Sequence, residues 1–292
     1  MSKTNGGKTA ALAAGAPRLD TGRLSSPELA LEAVQRSHPG RLRPRNEDAT
    51  FAFTAESGGE APLLSFGLYL LADGLGGHRD GHEASRIVTR SVAADLLERL
   101  YLPLLHAPAG GGPGATAPVQ EVLAEAAEAA NRAIYDPDPE QDSATTLTAC
   151  LLLGRRLYLA HVGDSRAYLW ADGQLTQLTS DHTYVHWLVQ AGQLSEAQAA
   201  QHPQRNTLYR AVGQAEQLEL DTYTRMLPPA GKLLLCSDGL WGLAPAEALA
   251  QALAADSSLA AQADHLVELA LEAGGTDNIS LVLAAFKAHS GR

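Results

Sequence analysis

The most constraining feature of the sequence is an apolar run, Phe66 to Ala72, that ends at Asp73-Gly74. A run without polar alternation is typical of a strand buried on both faces. We therefore expect a layered fold in which both faces of this strand are covered and Asp73 emerges at the edge of the core. A second apolar run, Leu233 to Cys236, is followed by Ser237-Asp238-Gly239. Two strand ends that present a carboxylate in the same way predict one shared site.

The same dipeptide also occurs at Asp172-Gly173, between two short runs that predict half-exposed strands. Asp-Gly is a favoured sequence for the two-residue turn of a β-hairpin. We therefore predict a hairpin turn without chemistry at this position.

Composition excludes several classes of protein. The 292 residues are 45% apolar, which is ample for a substantial core, and the net charge of -11 does not fit the basic surface of a nucleic-acid-binding protein. The two cysteines, Cys150 and Cys236, lie inside apolar runs, which predicts buried free thiols rather than a disulfide. No apolar run approaches the ~20 residues of a membrane-spanning helix. We expect a soluble, cytoplasmic monomer without a membrane or nucleic-acid partner.

The sequence predicts one domain with two short extensions. Residues 1–28 are mostly Ala, Gly, Thr, Lys and Pro with little pattern, and we expect a flexible extension. The domain spans 29–287, and residues 288–292 form a short tail. Within the domain, the pattern loosens at about 181–213 into short helical pieces, which predicts a flap inserted between strands.

Apolar periodicity predicts an α+β fold. The expected helices lie at 82–101, from 119 onward, at 245–253 and at 259–271, with a linker at 103–118. Strands are expected near 29–34 and at 49–55, 66–72, 145–153, 157–162, 166–170, 174–178, 217–226, 232–236 and 279–286.

Acidic residues supply the candidate chemistry. Most of them stand beside Gly, Ser or Asn at the ends of apolar runs: Glu47, Asp48, Asp73, Asp142, Asp164, Asp238 and Asp277. A cluster with oxygen ligands alone suits Mg²⁺ or Mn²⁺ better than zinc. Two cations that share one carboxylate can lower the pKa of a water held between them, an arrangement used to hydrolyse phosphoesters.

Two other motifs suggest different chemistry. His78 and His82 have a spacing that zinc sites use, but Gly77 and Gly81 disfavour a regular helix that would present both rings. Gly163-Asp164-Ser165 is similar to a serine-hydrolase motif, yet no Asp and His follow at useful spacing. We therefore expect Asp164 and Ser165 to support a metal cleft by hydrogen bonding, and Thr145 and Thr146 to be ordinary strand residues.

The order of the motifs carries more information than any one of them. Together they resemble the 2C-type metal-dependent protein phosphatase family, and most closely its bacterial branch. The motifs are Arg43-x-x-Asn46-Glu47-Asp48, Ala72-Asp73-Gly74-x-Gly76-Gly77-His78, Thr145-Thr146-Leu147, Gly163-Asp164-Ser165-Arg166, Cys236-Ser237-Asp238-Gly239 and Asp277-Asn278. The resemblance covers roughly residues 30 to 287. It implies a central sandwich of two antiparallel sheets with helices on both sides, in four αββα layers, and a flap insertion.

The resemblance also implies ligands for two Mg²⁺ or Mn²⁺ ions. Asp73 matches the carboxylate that bridges the two ions. Glu47 and the backbone carbonyl of Gly74 match ligands of one ion, while Asp238 and Asp277 match ligands of the other.

Three further roles follow from the same resemblance. Asp142 aligns with the residue that holds a third, more weakly bound ion together with Asp238. Arg43 matches the arginine that binds the substrate phosphate, and Asp48 is expected to orient metal-bound waters. Arg43 and Asp48 are therefore the candidate catalytic residues. Leu75 stands where the eukaryotic branch has a histidine that protonates the leaving group, which leaves the proton donor open.

The implied activity is hydrolysis of phosphoserine and phosphothreonine in proteins by a metal-activated hydroxide, in opposition to a bacterial Ser/Thr kinase. The expected partners are that kinase and its substrates. An alternative is a catalytically silent regulator of the same fold that only binds phosphoproteins. Its signature would be the loss of a metal carboxylate, and none is missing. The motifs leave open whether the enzyme is a general one or serves a single regulatory protein.

Overall fold

The computed structural model describes residues 29–56, 65–75, 81–106, 117–135 and 143–288. The predicted extension, part of the tail, His78 and Asp142 lie outside these residues. The described strands are β1 (Leu29–His38), β2 (Asp48–Ala55), β3 (Phe66–Asp73), β4 (Leu147–Leu153), β5 (Arg156–Val162), β6 (Arg166–Ala171), β7 (Gln174–Gln177), β8 (Asp221–Met226), β9 (Ala230–Cys236) and β10 (Ile279–Ala288). The described helices are α1 (Gly81–Leu96), α2 (Leu102–His106), α3 (Val119–Ile134), α4 (Tyr184–Gln190), α5 (Glu196–Ala200), α6 (Asp238–Trp241), α7 (Ala246–Ala254) and α8 (Leu259–Glu272).

The strands form two antiparallel sheets of five strands each. One sheet has the order β1-β10-β9-β6-β7 and the other the order β2-β3-β4-β5-β8. The two sheets pack face to face, because side chains from both meet in one buried cluster that includes Tyr69, Leu71, Leu233 and Leu235. The predicted sandwich of two antiparallel sheets is confirmed.

The outer face of each sheet is covered by helices. Leu68 and Leu70 of β3 point away from the sandwich centre and pack in one cluster with residues of α1 and α3. Leu234 of β9 does the same on the other side, in a cluster with residues of α7 and α8. Successive side chains of a strand point to opposite faces, so a strand covered on both faces needs apolar residues at every position. This explains the unbroken run of β3 and gives the predicted four layers.

The helix that follows β3 differs from its prediction at its end. α1 presents Ala84, Val88 and Val92 to the sheet at intervals of four residues, as its apolar pattern predicts. At 97–101 the helix widens into a π-helical turn, and α2 then continues to His106. The predicted linker at 103–118 is therefore wrong for residues 103–106, where apolar leucines carry the helix further.

Two strands are shorter than expected. β8 begins at Asp221 rather than 217, and β4 begins at Leu147 rather than 145. Thr145 instead forms isolated bridges to Gly74 and to Val212, so it joins the residue after β3 to the C-terminal end of the predicted flap.

Antiparallel pairing brings the ends of several strands to one edge of the sandwich. Asp73, the last residue of β3, lies directly opposite Asp48, the first residue of β2. In the other sheet, the end of β9 lies beside the starts of β10 and β6, since Cys236 pairs with Leu281 and with Arg166. Asp238 follows β9 and Asp277 precedes β10, so four carboxylates are delivered to the same end. Nowhere in the described part of the chain is a helix both long and apolar enough to span a membrane.

Candidate metal centre

Asp73 and Asp48 form the part of the site that belongs to the sheet of β2 and β3. Both are half-buried, and their backbones are directly opposed. Asp48 Oδ2 accepts a hydrogen bond from Ser237 Oγ at 2.9 Å, which ties this sheet to the chain after β9. Asp48 Oδ1 is buried and has no hydrogen-bond partner in the protein. A buried carboxylate oxygen without a donor is costly, so Asp48 offers one oxygen to a further polar group.

Asp238 and Asp277 form the other half of the site. Asp238 opens the single turn of α6, directly after β9 and Ser237. Asp277 Oδ2 accepts from Arg43 Nη2 at 2.6 Å, and its Oδ1 accepts from the backbone N–H of Asn278 at 2.9 Å. The predicted phosphate-binding arginine therefore lies at the rim of the carboxylate cluster, with its side chain 45% exposed.

Glu47 and Gly74 are held side by side through their backbones. The N–H of Gly74 donates to the carbonyl of Glu47 at 3.1 Å, and the N–H of Glu47 donates to Asn278 Oδ1 at 2.8 Å. A Cβ at Gly74 would lie 2.3 Å from the carbonyl oxygen of Gly81 and 2.7 Å from that of Glu47. Any side chain would force these backbones apart, so the close approach requires glycine.

Asn278 is a supporting residue whose role was missed in the sequence. It is buried, and its Nδ2 donates to the carbonyls of Pro39 and Arg45 at 3.0 and 2.9 Å. Together with the bond to Glu47, these contacts pin the loop that carries Arg43 and Glu47 beside the start of β10. The Asp277-Asn278 pair was noted as a motif, but only the three backbone partners reveal what the amide does.

Burial and mutual repulsion raise the pKa values of the clustered acids. Burial, followed by repulsion from Asp48 and Asp238, raises the pKa of Asp73 well above its ordinary value. Burial and the charge of Asp277 raise the pKa of Asp238 to about 7, and burial raises the pKa of Asp48 to about 6. Arg43 is the cation that offsets this repulsion at Asp238. Such a set of acids binds positive charge favourably.

The described acidic side chains lie near one another but do not converge on a single metal position. Within the described residues, no three Asp, Glu, His or Cys side chains are arranged so that they could hold an ion as they stand. Asp277 is engaged by Arg43 and Asp48 by Ser237, while the remaining acids repel one another. The donor set nevertheless fits a hard divalent cation, because its ligands are oxygens, Asp48 Oδ1 has no donor, and burial together with mutual repulsion of the acids raises the pKa of Asp238.

Thr145 and Thr146 are more than ordinary strand residues, so that prediction is wrong. Thr146 Oγ1 accepts from the backbone N–H of Asp73 at 2.9 Å, and Thr145 Oγ1 donates to the backbone carbonyl of Asp73 at 2.8 Å. Both polar backbone groups of Asp73 are thus fixed by neighbouring hydroxyls. Asp142 lies outside the described residues, and its predicted role stays a prediction.

The Gly163-Asp164-Ser165 turn lies next to the carboxylates. Asp164 is buried, and burial followed by the charge of Asp238 raises its pKa well above the ordinary value. Ser165 Oγ lies 2.7 Å from Thr146 Oγ1. The Ser165 contact agrees with the expected hydrogen-bonding support, whereas Asp164 acts on Asp73 and Asp238 through its charge.

A cleft lies beside Asp238 and Asp277; the sequence predicted a metal cleft but not the residues that form its walls. It has a volume of about 320 Å³ and is bounded by α4, α5 and Trp241. Arg166 forms one wall: its guanidinium lies 3.5 Å from the centre of the Trp241 ring and donates to Asp181 through Nε at 2.9 Å and Nη2 at 2.6 Å. The helices predicted as flap therefore border a cavity that opens onto the carboxylates.

Comparison with known proteins identifies the family of this chain. The sequence model of the protein phosphatase 2C family matches residues 35–273. This chain belongs to the protein phosphatase 2C family. The matched range contains every residue of the carboxylate cluster except Asp277, which lies just beyond it.

Individual relatives extend the match. A putative protein phosphatase 2C-type protein of Streptococcus pyogenes is 34% identical over 247 residues, which are 84% of this chain and 93% of that protein. The serine/threonine protein phosphatase PstP of Mycobacterium tuberculosis is 36% identical over 265 residues, or 88% of this chain. This chain spans 45% of the length of PstP.

A solved structure supports the fold and the metal. The catalytic domain of PstP in complex with two manganese ions superposes with a TM-score of 0.70 at 34% identity, covering 89% of this chain and 99% of that one. The predicted family, enzyme class and metal cofactor are thereby confirmed at the level of the family: this protein phosphatase 2C has relatives that are protein phosphatases, and one of them holds two manganese ions.

Proposed function

We propose that this protein phosphatase 2C hydrolyses phosphoserine and phosphothreonine in phosphoproteins with two Mg²⁺ or Mn²⁺ ions. The observation that carries the proposal is the convergence of Asp48, Asp73, Asp238 and Asp277 at one end of the sandwich, with Arg43 at the rim. The relatives named serine/threonine phosphatases support the choice of substrate.

The residues proposed to hold the ions are those expected from the motifs. Asp73 would serve both ions, Glu47 and the carbonyl of Gly74 would serve one of them, and Asp238 and Asp277 would serve the other. Crowding at Gly74 supports its role, since a residue without Cβ lets a carbonyl come close to an ion. When bound, such ions supply an activated water nucleophile at neutral pH and offset negative charge on the phosphoryl oxygens. Asp142 remains our proposed ligand for a third ion.

Arg43 is proposed to grip the phosphate of the substrate. One of its nitrogens donates to Asp277, and a guanidinium has five N–H donors, so others are available to two phosphate oxygens. Its exposed position allows a bulky phosphoprotein to reach it. Asp48 is proposed to orient water near Asp73, which its partnerless Oδ1 supports. Leu75 cannot donate a proton, so water is the proposed donor to the leaving group.

The cleft bordered by α4 and α5 is proposed to receive the polypeptide around the phosphorylated residue. Residues 29–287 would form one catalytic domain with a flap at about 181–213, as the sequence predicts. We further propose that the partners are a Ser/Thr kinase and its substrates, and that the enzyme acts as a cytoplasmic monomer. Cell fractionation and light scattering of the purified protein test the last two points.

The test of the activity is hydrolysis of a phosphothreonine peptide with Mn²⁺ and with excess chelator. We expect turnover with Mn²⁺ that chelator abolishes, and loss of both activity and metal binding in Asp238→Asn. Equal, negligible rates in both conditions would overturn the proposal, and calorimetry that shows no Mn²⁺ binding would instead support the silent regulator.

A further inference from the structure

His182 is a buried histidine that none of the predicted roles uses. It is 2% exposed and stands at the start of the segment predicted as flap. Its backbone N–H donates to the carbonyl of Gly163 at 2.8 Å, and its ring Nδ1 accepts from the N–H of Gly163 at 3.1 Å. One residue therefore satisfies both polar backbone groups of Gly163.

Gly163 occupies a position where the chain has little freedom to adjust. Its φ is +106°, and a Cβ there would lie 2.5 Å from Thr146 Cγ2. The next residue, Asp164, lies beside Asp73 and Asp238, and Ser165 contacts Thr146. Thr146 Oγ1 contacts Ser165 Oγ and also accepts from the N–H of Asp73. His182 is therefore linked to the backbone of Asp73 through hydrogen bonds at each end of the covalent segment 163–165.

The other ring nitrogen is anchored in β8. His182 Nε2 lies 3.2 Å from Asp221 Oδ2, and Arg210 Nη1 lies 3.4 Å from both Nε2 and Asp221 Oδ1. A backbone N–H can only donate, so Nδ1 must be free of hydrogen. The neutral ring therefore carries its hydrogen on Nε2 and donates it to Asp221. Arg210 and Nε2 are then both donors, and Arg210 pairs with Asp221 rather than with the ring.

Both ends of the predicted flap meet at His182. The N–H of Tyr209 donates to the carbonyl of His182 at 3.0 Å, and the Tyr209 ring centre lies 5.7 Å from that of His182. On the opposite side, the ring centre of His161 lies 5.0 Å away. Burial lowers the pKa of His182, which agrees with a neutral ring.

We propose that His182 is a positioning residue that, as a neutral Nε2–H imidazole, fixes the Gly163–Ser165 turn beside the carboxylates and joins it to both ends of the flap. The inference rests on the proposed phosphatase function. The competing explanation is a core histidine that contributes packing alone. The two explanations predict different results for His182→Asn. Asn Oδ1 is as many bonds from Cα as His Nδ1, so it can accept the hydrogen bond from Gly163 without restoring the packing of the ring.

The kinetic experiment compares His182→Ala and His182→Asn with wild type on p-nitrophenyl phosphate at saturating Mn²⁺. We expect His182→Ala to lower kcat by about 10- to 100-fold, the usual cost of losing a group that orients ligands, with KM within about twofold. His182→Asn should recover most of kcat. His202→Ala is the matched control: this flap histidine also accepts a backbone N–H through Nδ1, from Gln204 at 3.2 Å, but does not reach the turn.

Two readouts are independent of turnover. Long-range ¹H–¹⁵N NMR of wild-type protein should show a protonated Nε2 and a bare Nδ1 on His182, and calorimetry should show weaker Mn²⁺ binding in His182→Ala than in His182→Asn. If wild type does not hydrolyse the substrate, the proposed function fails, while the NMR and calorimetry still decide the role of His182.

Three results would overturn the inference: a protonated Nδ1, a kcat of His182→Ala within about twofold of wild type, or a His182→Asn variant no better than His182→Ala. If His182→Ala does not fold, the activity of His182→Asn and the NMR spectrum of wild type decide. Asparagine replaces only the acceptor of the Gly163 N–H, so near-normal activity of that variant would support the inference.

Discussion

Two Asp-Gly dipeptides in this protein show how far the same sequence can differ in consequence. Asp73-Gly74 ends a strand buried on both faces, and a Cβ on its glycine would strike two carbonyl oxygens. Asp172-Gly173 joins β6 to β7, with Asp172 exposed at a φ of 52° and open space around Gly173. Other chain segments crowd the first dipeptide, whereas the second makes no close contact beyond its own hairpin turn. Chemistry arises where separate segments converge, since a local turn needs no partner.

The largest expected difference between the two positions is in activity. Asp73→Asn should lower kcat/KM on a phosphothreonine peptide by at least about 10³-fold, since it removes charge at the centre of the proposed site. Asp172→Asn should leave the rate within about twofold, because asparagine also tolerates the left-handed turn conformation. In the presence of chelator, Asp73→Asn should also melt at a higher temperature than wild type, since repulsion among the acids falls. Equal rates for the two variants would contradict the comparison.

The second difference is in stability, at two glycines that share a positive φ. Gly163→Ala should lower the free energy of unfolding by about 2 to 4 kcal/mol, because the new Cβ meets Thr146 at 2.5 Å in addition to the backbone strain. Gly173→Ala, with φ at +75° and nothing within 4 Å, should cost about 1 kcal/mol from backbone strain alone. Urea denaturation of both variants measures this. A similar cost at both positions would mean that backbone conformation, and not crowding, dominates.

A third test concerns the pH dependence of stability that the buried His161 causes. Burial lowers the pKa of His161 to about 4 from 6.5, so the unfolded chain binds more protons than the folded one between these values. Stability should therefore fall as pH drops from about 6.5 to about 4, by about 3 kcal/mol from this group. Replacing His161 by Gln should flatten that part of the curve, while replacing the exposed His265 should not. The carboxylates contribute equally to the stability of wild type and variant, so the difference between their two pH curves reports the histidine alone.

A fourth test concerns the effect of metal on the melting temperature. Mn²⁺ at about 100 times its dissociation constant should stabilise the folded protein by about 2.7 kcal/mol, or about 5 to 10 °C for a domain of this size. Asp238→Asn should show a much smaller shift, and Asp172→Asn should behave as wild type. A shift in Asp238→Asn equal to that in wild type would place the bound ion elsewhere.

Much of the fold could be predicted from the sequence because apolar periodicity reports burial directly. The double-sided strands β3 and β9 could be recognised from runs without alternation, and the amphipathic α1 and α3 from spacings of three and four residues. Errors fell where apolar pattern and local hydrogen bonding disagree, as at residues 103–106 and at the start of β8. At such ends the backbone hydrogen bonds that decide where an element stops are only weakly reflected in apolar spacing.

The sequence by itself determined the layered α+β architecture, the acidic residues with a motif around them, and the harmless turn at Asp172-Gly173, because each depends on residue type and near neighbours. Tertiary structure alone decided that Asp48 opposes Asp73, that Asn278 binds the loop of Glu47, and that His182 holds Gly163. These contacts join residues far apart in the chain, and their partners are backbone groups, which are the same in every residue and so leave no mark in a sequence.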